Sequence, residues 1–229
     1  MTVPDPISPF LDTLLPVGTR SLAAHANAVT CVLVGRTGPL RLECDGRRID
    51  GDIVLVRPGV VHAVALAERG ADVLYLNGLA FPFDASLAQV LDGALAHLSS
   101  DALRGDRCAM HELRARLTAR APRLPTGIAE VVRAIYADPM QRISQGELAR
   151  RLRMERTRAL RCFKAATGQT FRDFKRWSAL LHAAQLMADG ALVRTAAMDA
   201  GFSDTAHLSR VFRRAFGLTP SAAIAGLEL

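Results

Sequence analysis

Two stretches of the chain place arginine, threonine and serine at spacings suited to hydrogen bonding with the edges of bases. The later one, Gly201–Pro220, reads GFSDTAHLSRVFRRAFGLTP. Leu208, Phe212 and Phe216 lie four residues apart and share one face of a helix, which leaves Arg210, Arg213 and Arg214 off that stripe. Arginine grips guanine through two acceptors, and serine or threonine serves several bases. A helix in the major groove reads bases with its first turns, here carrying Asp204, Thr205, His207, Ser209 and Arg210. Helix N-termini also attract phosphate. A shift of 49 residues lays RCFKAATGQT, from Arg161, over RVFRRAFGLT, from Arg210. Phe163 then meets Phe212, Gly168 meets Gly217 and Thr170 meets Thr219. Each copy follows a short helix and a tight turn, the arrangement of a helix-turn-helix. A helical hairpin repeat with solvated arginines is the plainer reading. Two copies in register, in a basic half of the chain, favour double-stranded DNA.

The charge supports this. Residues 1–121 hold 12 Lys/Arg against 13 Asp/Glu, and residues 127–229 hold 16 against 9, so the formal +7 belongs to one half. A basic half beside a neutral one points to a polyanion partner. Other chemistries lack their residues. There is no G-x-S-x-G, no P-loop and no G-x-G-x-x-G. The histidines are scattered, His111-Glu112 does not continue as H-E-x-x-H, and Cys31, Cys44, Cys108 and Cys162 have no metal-ligand spacing and read as small buried hydrophobes. No catalytic residue, metal or cofactor is therefore assigned. No apolar run has the length of a membrane span, and MTVPDPISPFLDTLLPVG does not read as a signal peptide. A soluble, cytoplasmic protein with no membrane partner is expected.

The elements that must position these residues give an α+β fold. TCVLVG, PLRLEC, DIVLVRP, VVHAVAL and DVLYLN, within about 28–77, read as short strands of a small sandwich or barrel, separated by turn signals such as Asp45-Gly46 and Pro58-Gly59. Residues 85–103 and 109–120 read as a helical appendix. Leu87, Leu91, Ala94, Leu95 and Leu98 share a face there that suits the barrel or a second copy of itself. ARAPRLPTG, Ala119–Gly127, reads as a linker. The expected division is 1–120, linker 121–127, and an all-α domain over 128–229. That last part shows Ile128, Val131, Val132 and Ile135 on one face and a capping box at Ser144 and Glu147. A long helix starts at Thr170 and Asp173, Ser203 is placed to cap the next, and Pro220 opens the last, for seven helices.

The segment Ile128–Ile224 resembles the two-helix-turn-helix DNA-binding domain of the AraC/XylS transcriptional regulators. AGFSDTAHLSRVFRRAFGLTPS is closest to the family signature, and ISQGELARRLRMERTRALRCFKAATGQTFRDF follows it more loosely. The resemblance implies two recognition helices in successive major-groove segments, held apart by the helix at about 171–189. It implies base contacts from Thr157, Leu160 and Arg161 in the first helix and from Ala206, Ser209 and Arg210, with Thr205 adjacent, in the second. Arg156, Arg158 and Lys164 would hold phosphates, and Arg213 joins the DNA-binding set. The chain departs from the pattern at Ala159 and Leu160, in TAAMDAG, and in its ending SAAIAGLEL. DGRRIDGDIVLVRPGVVHAV, with Gly51, Pro58, Gly59 and His62, resembles the second motif of cupin-type effector domains, and the resemblance implies a cupin-like β-barrel as the first domain with His62 as an effector-binding residue. The histidine pair of a metal-binding first motif is absent. The implied function is a sequence-specific transcription regulator, an activator rather than a repressor, controlled by a small-molecule effector or by homodimerisation, with RNA polymerase as partner in activation. The alternatives are a cupin-type metal-dependent enzyme fused to a DNA-binding tail, and a DNA-binding protein without an effector.

Overall fold

The computed structural model describes residues 13–77, 87–118, 124–138 and 143–225. Its strands are β1 (Thr13–Val17), β2 (Ser21–His25), β3 (Thr30–Gly35), β4 (Leu40–Cys44), β5 (Arg47–Gly51), β6 (Ile53–Val56), β7 (His62–Ala65), β8 (Ala71–Leu76) and β9 (Ala88–Val90). They form two antiparallel sheets, β1-β8-β3-β6-β9 and β2-β7-β4-β5. The sheets face one another across a shared core, with Cys31, Leu33 and Val73 from one side and Leu22, Leu42 and Val64 from the other. The expected barrel is therefore a two-sheet sandwich. Closure needs an unbroken hydrogen-bond ladder, and among the described residues β5 and β9 are edges of different sheets with no shared ladder.

The sequences of the two sheets differ because their outer faces differ. β4, LRLEC, alternates buried and exposed, since the four-stranded sheet turns Arg41 and Glu43 to water. β6, IVLV, is buried throughout, since the outer face of the five-stranded sheet is covered. Val32, Ile53, Leu55, Leu74 and Leu76 form that face. It packs under α1 (Gly93–Leu103) and α2 (Arg107–Thr118), which contribute Leu113 and Leu117. Leu91, Leu95 and Leu98 go to this contact, whereas Ala94 and Leu87 are exposed. The appendix thus packs on the sandwich. Its first helix starts later than the periodicity suggests, because β9 pairs with β6 (Val54 opposite Val90) before Gly93, at φ 50, turns the chain into α1. Residues 85–86 of that expected helix and 119–123 of the expected linker lie outside the described residues. Thr126 and Gly127, also placed in the linker, already belong to a helix.

The helices that follow are α3 (Thr126–Ala137), α4 (Gln145–Leu152), α5 (Arg156–Thr167), α6 (Phe171–Ala188), α7 (Val193–Asp199), α8 (Thr205–Phe216) and α9 (Pro220–Ala225). Ile128, Val131, Val132 and Ile135 are all buried, as their spacing requires. Two cores share α6. Phe171 and Phe174 pack with α3, α4 and α5. Trp177, Leu180, Ala183, Ala184 and Met187 instead join α7, α8, α9 and the core between the sheets.

Candidate nucleic-acid interface

α4–α5 and α7–α8 are the two helix-turn-helix units. Ser144 Oγ caps α4 by accepting from Glu147 N at 3.0 Å. The turn into α5 passes through Arg153 at φ 51, and the turn into α8 passes through Gly201 at φ 79. Both recognition helices start behind an acidic cap. Glu155 accepts from Thr157 N at 2.8 Å and Arg158 N at 3.2 Å, and Asp204 accepts from His207 N at 2.6 Å. These amides hold both carboxyls below the usual carboxylate range. The expected cap Ser203 is replaced by its neighbour, and its hydroxyl instead donates to Asp204 Oδ2 at 3.1 Å. Asp204 wins because its carboxylate reaches the third helical amide directly. The carboxylates occupy these N-terminal amides, so phosphate contact falls to side chains.

Those side chains are outward. Arg156, Thr157, Arg158, Arg161 and Lys164 on α5 are exposed, as are Thr205, Ala206, Arg210 and Arg213 on α8. Ser209 is half-buried, and Leu160 is half-buried against the first unit's core. Phe163 and Ala159 on α5, and Leu208, Phe212 and Phe216 on α8, are buried on the opposite faces. Among the described residues, none of Arg156, Arg158, Arg161, Lys164, Arg210, Arg213 or Arg214 forms an ion pair, although Arg150 and Arg151 of α4 both pair with Glu147. The two recognition helices therefore present a cluster of exposed cations outside any ion pair, with Glu155 and Asp204 as the nearby acids at their starts.

Residues 148–225 match the family model described as a helix-turn-helix domain. The chain carries an AraC-type helix-turn-helix domain. The fold is similar to that of ToxT from Vibrio cholerae O395, with a TM-score of 0.62 at 11% identity over 95% of this chain and 97% of that one. ToxT from V. cholerae strain SCE256, solved with an unsaturated fatty acid bound, gives 0.56 at 12% identity over 93% of each chain. A transcriptional regulator from Chromobacterium violaceum with an AraC-type DNA-binding domain gives 0.42 at 24% identity over 44% of this chain and 91% of that one. No curated protein matches the chain.

The AraC-type domain is joined to the sandwich through the end of α8. A helix leaves its last carbonyls without intrahelical partners. Here Arg214 O accepts from Ala26 N at 3.1 Å, Ala215 O from Asn27 Nδ2 at 2.6 Å, and Gly217 O from Ala23 N at 2.9 Å. Tyr75, Trp177 and Phe216 meet edge-on or tilted beside this junction, with centroids 5.4–5.5 Å apart. Sequence reasoning singled out none of Ala23, Asn27, Tyr75 or Trp177. Main-chain docking leaves no sequence signal, although a lone tryptophan in a chain with one is a natural place to look.

His62 lies apart from the arginine faces. It is 1% exposed, its Nδ1 is 2.9 Å from Val60 O, and its ring meets that of His25 tilted by 52°, with centroids 4.2 Å apart. Its Nε2 is buried without a partner. Burial lowers the pKa of both rings, His25 to about 4. His62 borders a cleft at the β4–β5 turn with Glu43, Cys44 and Arg47. Among the described residues no three His, Cys, Asp or Glu side chains gather as a metal site. Among them, too, no helix is long and apolar enough to cross a membrane. Cys108 is exposed rather than buried, whereas burial pushes the Cys31 thiol up to about 12. A larger groove, of about 480 Å³, runs between the β2–β3 loop and the helices, lined by Trp177, Leu180 and Val211 on its apolar side and by Lys164, Arg176 and Arg214.

Proposed function

We propose that the protein is a cytoplasmic, sequence-specific regulator that binds double-stranded DNA with α5 and α8 together. The exposed cations of these two helices, none in an ion pair, carry this reading, because the acids beside them, Glu155 and Asp204, are spent on capping helix amides, whereas Arg36, Arg41, Arg48, Arg150 and Arg151 are each paired with a carboxylate. Arg161 and Arg210 would grip guanine, with Thr157, Leu160, Thr205, Ala206 and Ser209 contacting neighbouring bases. Arg156, Arg158, Lys164 and Arg213 would hold phosphates and give the binding its salt dependence. The family resemblance supports a homodimer that activates transcription with RNA polymerase.

The effector belongs to the groove rather than to His62, whose ring packs on His25. A small amphipathic acid suits it, with its carboxylate toward Lys164 or Arg214, since Arg176 is paired with Asp173, and its apolar part against Trp177, Leu180 and Val211. The bound fatty acid of ToxT lends this class support.

Selection from random duplexes supplies the operator, and anisotropy titrations at two salt concentrations compare it with a scrambled duplex. The reading predicts a preference of about a thousandfold or more, with affinity falling steeply as salt rises. Equal affinity for both duplexes at both salt concentrations leaves only a basic surface and overturns it.

A further inference from the structure

The loop between β2 and β3 touches the ends of both recognition helices. At one end, Ala26 N and Asn27 Nδ2 donate to Arg214 O and Ala215 O in the last turn of α8. At the other, Ala28 O accepts from Gln169 Nε2 at 2.7 Å, and Gln169 directly follows Gly168, the C-cap of α5. The loop is itself held firmly. Asn27 Oδ1 accepts from Cys31 Sγ at 3.1 Å, and Asn27 O accepts from Gly59 N at 2.8 Å in the β6–β7 turn. Asn27 is 2% exposed and Gln169 6%.

Within the helical part, α5 and α8 are linked through α6. The two cores meet inside that helix, between Phe174 and Trp177. A bend there would change the separation of the recognition helices while leaving each unit intact. The β2–β3 loop is a second link, anchored in the sandwich, and it spans the same two helix ends.

We propose that Ala26–Ala28, with Asn27 at its centre, is a spacer that fixes the distance between α5 and α8 and so selects the half-site separation the protein accepts. Asn27 and Gln169 are positioning residues that act on DNA through the two helices. The inference rests on the reading that both helices enter DNA. Each added base pair moves one half-site by about 3.4 Å and turns it by about a tenth of a turn, so a rigid bracket converts a small change in spacing into lost contacts.

The test uses full-length protein and a set of duplexes carrying the selected half-sites at the selected separation and at one base pair more or less. Two variants cut the bracket at different ends. Asn27→Leu keeps roughly the side-chain size and loses the donor to Ala215 O, together with the acceptor for Cys31 Sγ. Gln169→Met loses the donor to Ala28 O and also removes an Oε1 that is buried without a partner, and the variant's Tm is measured alongside to confirm that its fold is retained. The expected result is a wild-type spacing preference of tenfold or more that falls at least threefold in each variant, while the penalty for a base change inside either half-site stays as in wild type. An unchanged spacing preference in Gln169→Met overturns the spacer. Equal loss of spacing and base discrimination marks general damage and also overturns it. A wild type with no base preference at all overturns the DNA reading itself, which is a separate and recognisable outcome.

Discussion

The indole N–H of Trp177 donates to Asn77 Oδ1 at 2.7 Å, and the backbone carbonyl of the same asparagine accepts from Arg114 Nη2 at 2.7 Å. One buried residue after β8 thus ties α6 of the helix-turn-helix domain and α2 of the appendix to the sandwich. Removing it leaves a buried indole N–H unpaired, which costs about 1–3 kcal/mol. Asn77→Ala should lower Tm by about 2–4 °C per kcal/mol lost, and fluorescence of the single tryptophan should move toward that of a solvated indole. An unchanged Tm with an unchanged spectrum contradicts this account of the junction.

Gly217 and Gly190 separate close approach from backbone conformation. Gly190 has φ 93 and open space around it, so Gly190→Ala meets only left-handed strain, about 1–2 kcal/mol. Gly217 has φ 75, and a Cβ there would lie 2.6 Å from both Ala23 O and His25 Nδ1. Gly217→Ala should therefore cost at least twice as much as Gly190→Ala in denaturant titrations, and the two being equal would remove α8 from its seat on β2.

These two contacts mark what the sequence could and could not reveal. The apolar stripe Leu208, Phe212, Phe216 and the glycine after it read directly as a helix with its C-cap, and the helix is there. The repeat likewise gave α5 and the buried Phe163. What the end of α8 touches was not legible, because Ala23 and Ala26 dock on Gly217 and Arg214 through backbone groups that every residue carries. β9 was missed for a similar reason: Ala88–Val90 has too few residues to show alternation, and its pairing with β6 is set by a distant strand. The separation into two sheets depended on pairings of that kind. The site arginines were legible because charge off an apolar stripe needs only local spacing.

Acid should loosen the same junction. Burial, and next the neighbouring His62 ring, lower the pKa of His25 from 6.5 to about 4, and burial lowers that of His62. Between those values the unfolded chain binds protons that the native protein refuses, so stability is full above about pH 6.5 and falls as pH drops toward about 4. His25 alone accounts for about 3 kcal/mol across that range. His25→Gln should flatten much of the pH dependence of Tm, and a slope identical to wild type would assign it to other groups.

The groove should discriminate among ligands by charge. A saturating medium-chain carboxylic acid should raise Tm, by an amount corresponding to about 2.7 kcal/mol at a hundred times its Kd. The matching alcohol should do less, and Arg214→Ala should narrow the difference. Equal shifts from acid and alcohol would mean that the cations at the groove do not hold the carboxylate.

The most direct test of DNA reading by two helices crosses two variants with two half-sites. Arg161→Ala and Arg210→Ala are each titrated against the selected operator and against operators with base changes in one half-site or the other. Each variant should lose about 1–3 kcal/mol of discrimination at its own half-site and keep it at the other. If both variants instead weaken every duplex alike, these arginines contact only the phosphate backbone, and the assignment of base reading to α5 and α8 is wrong.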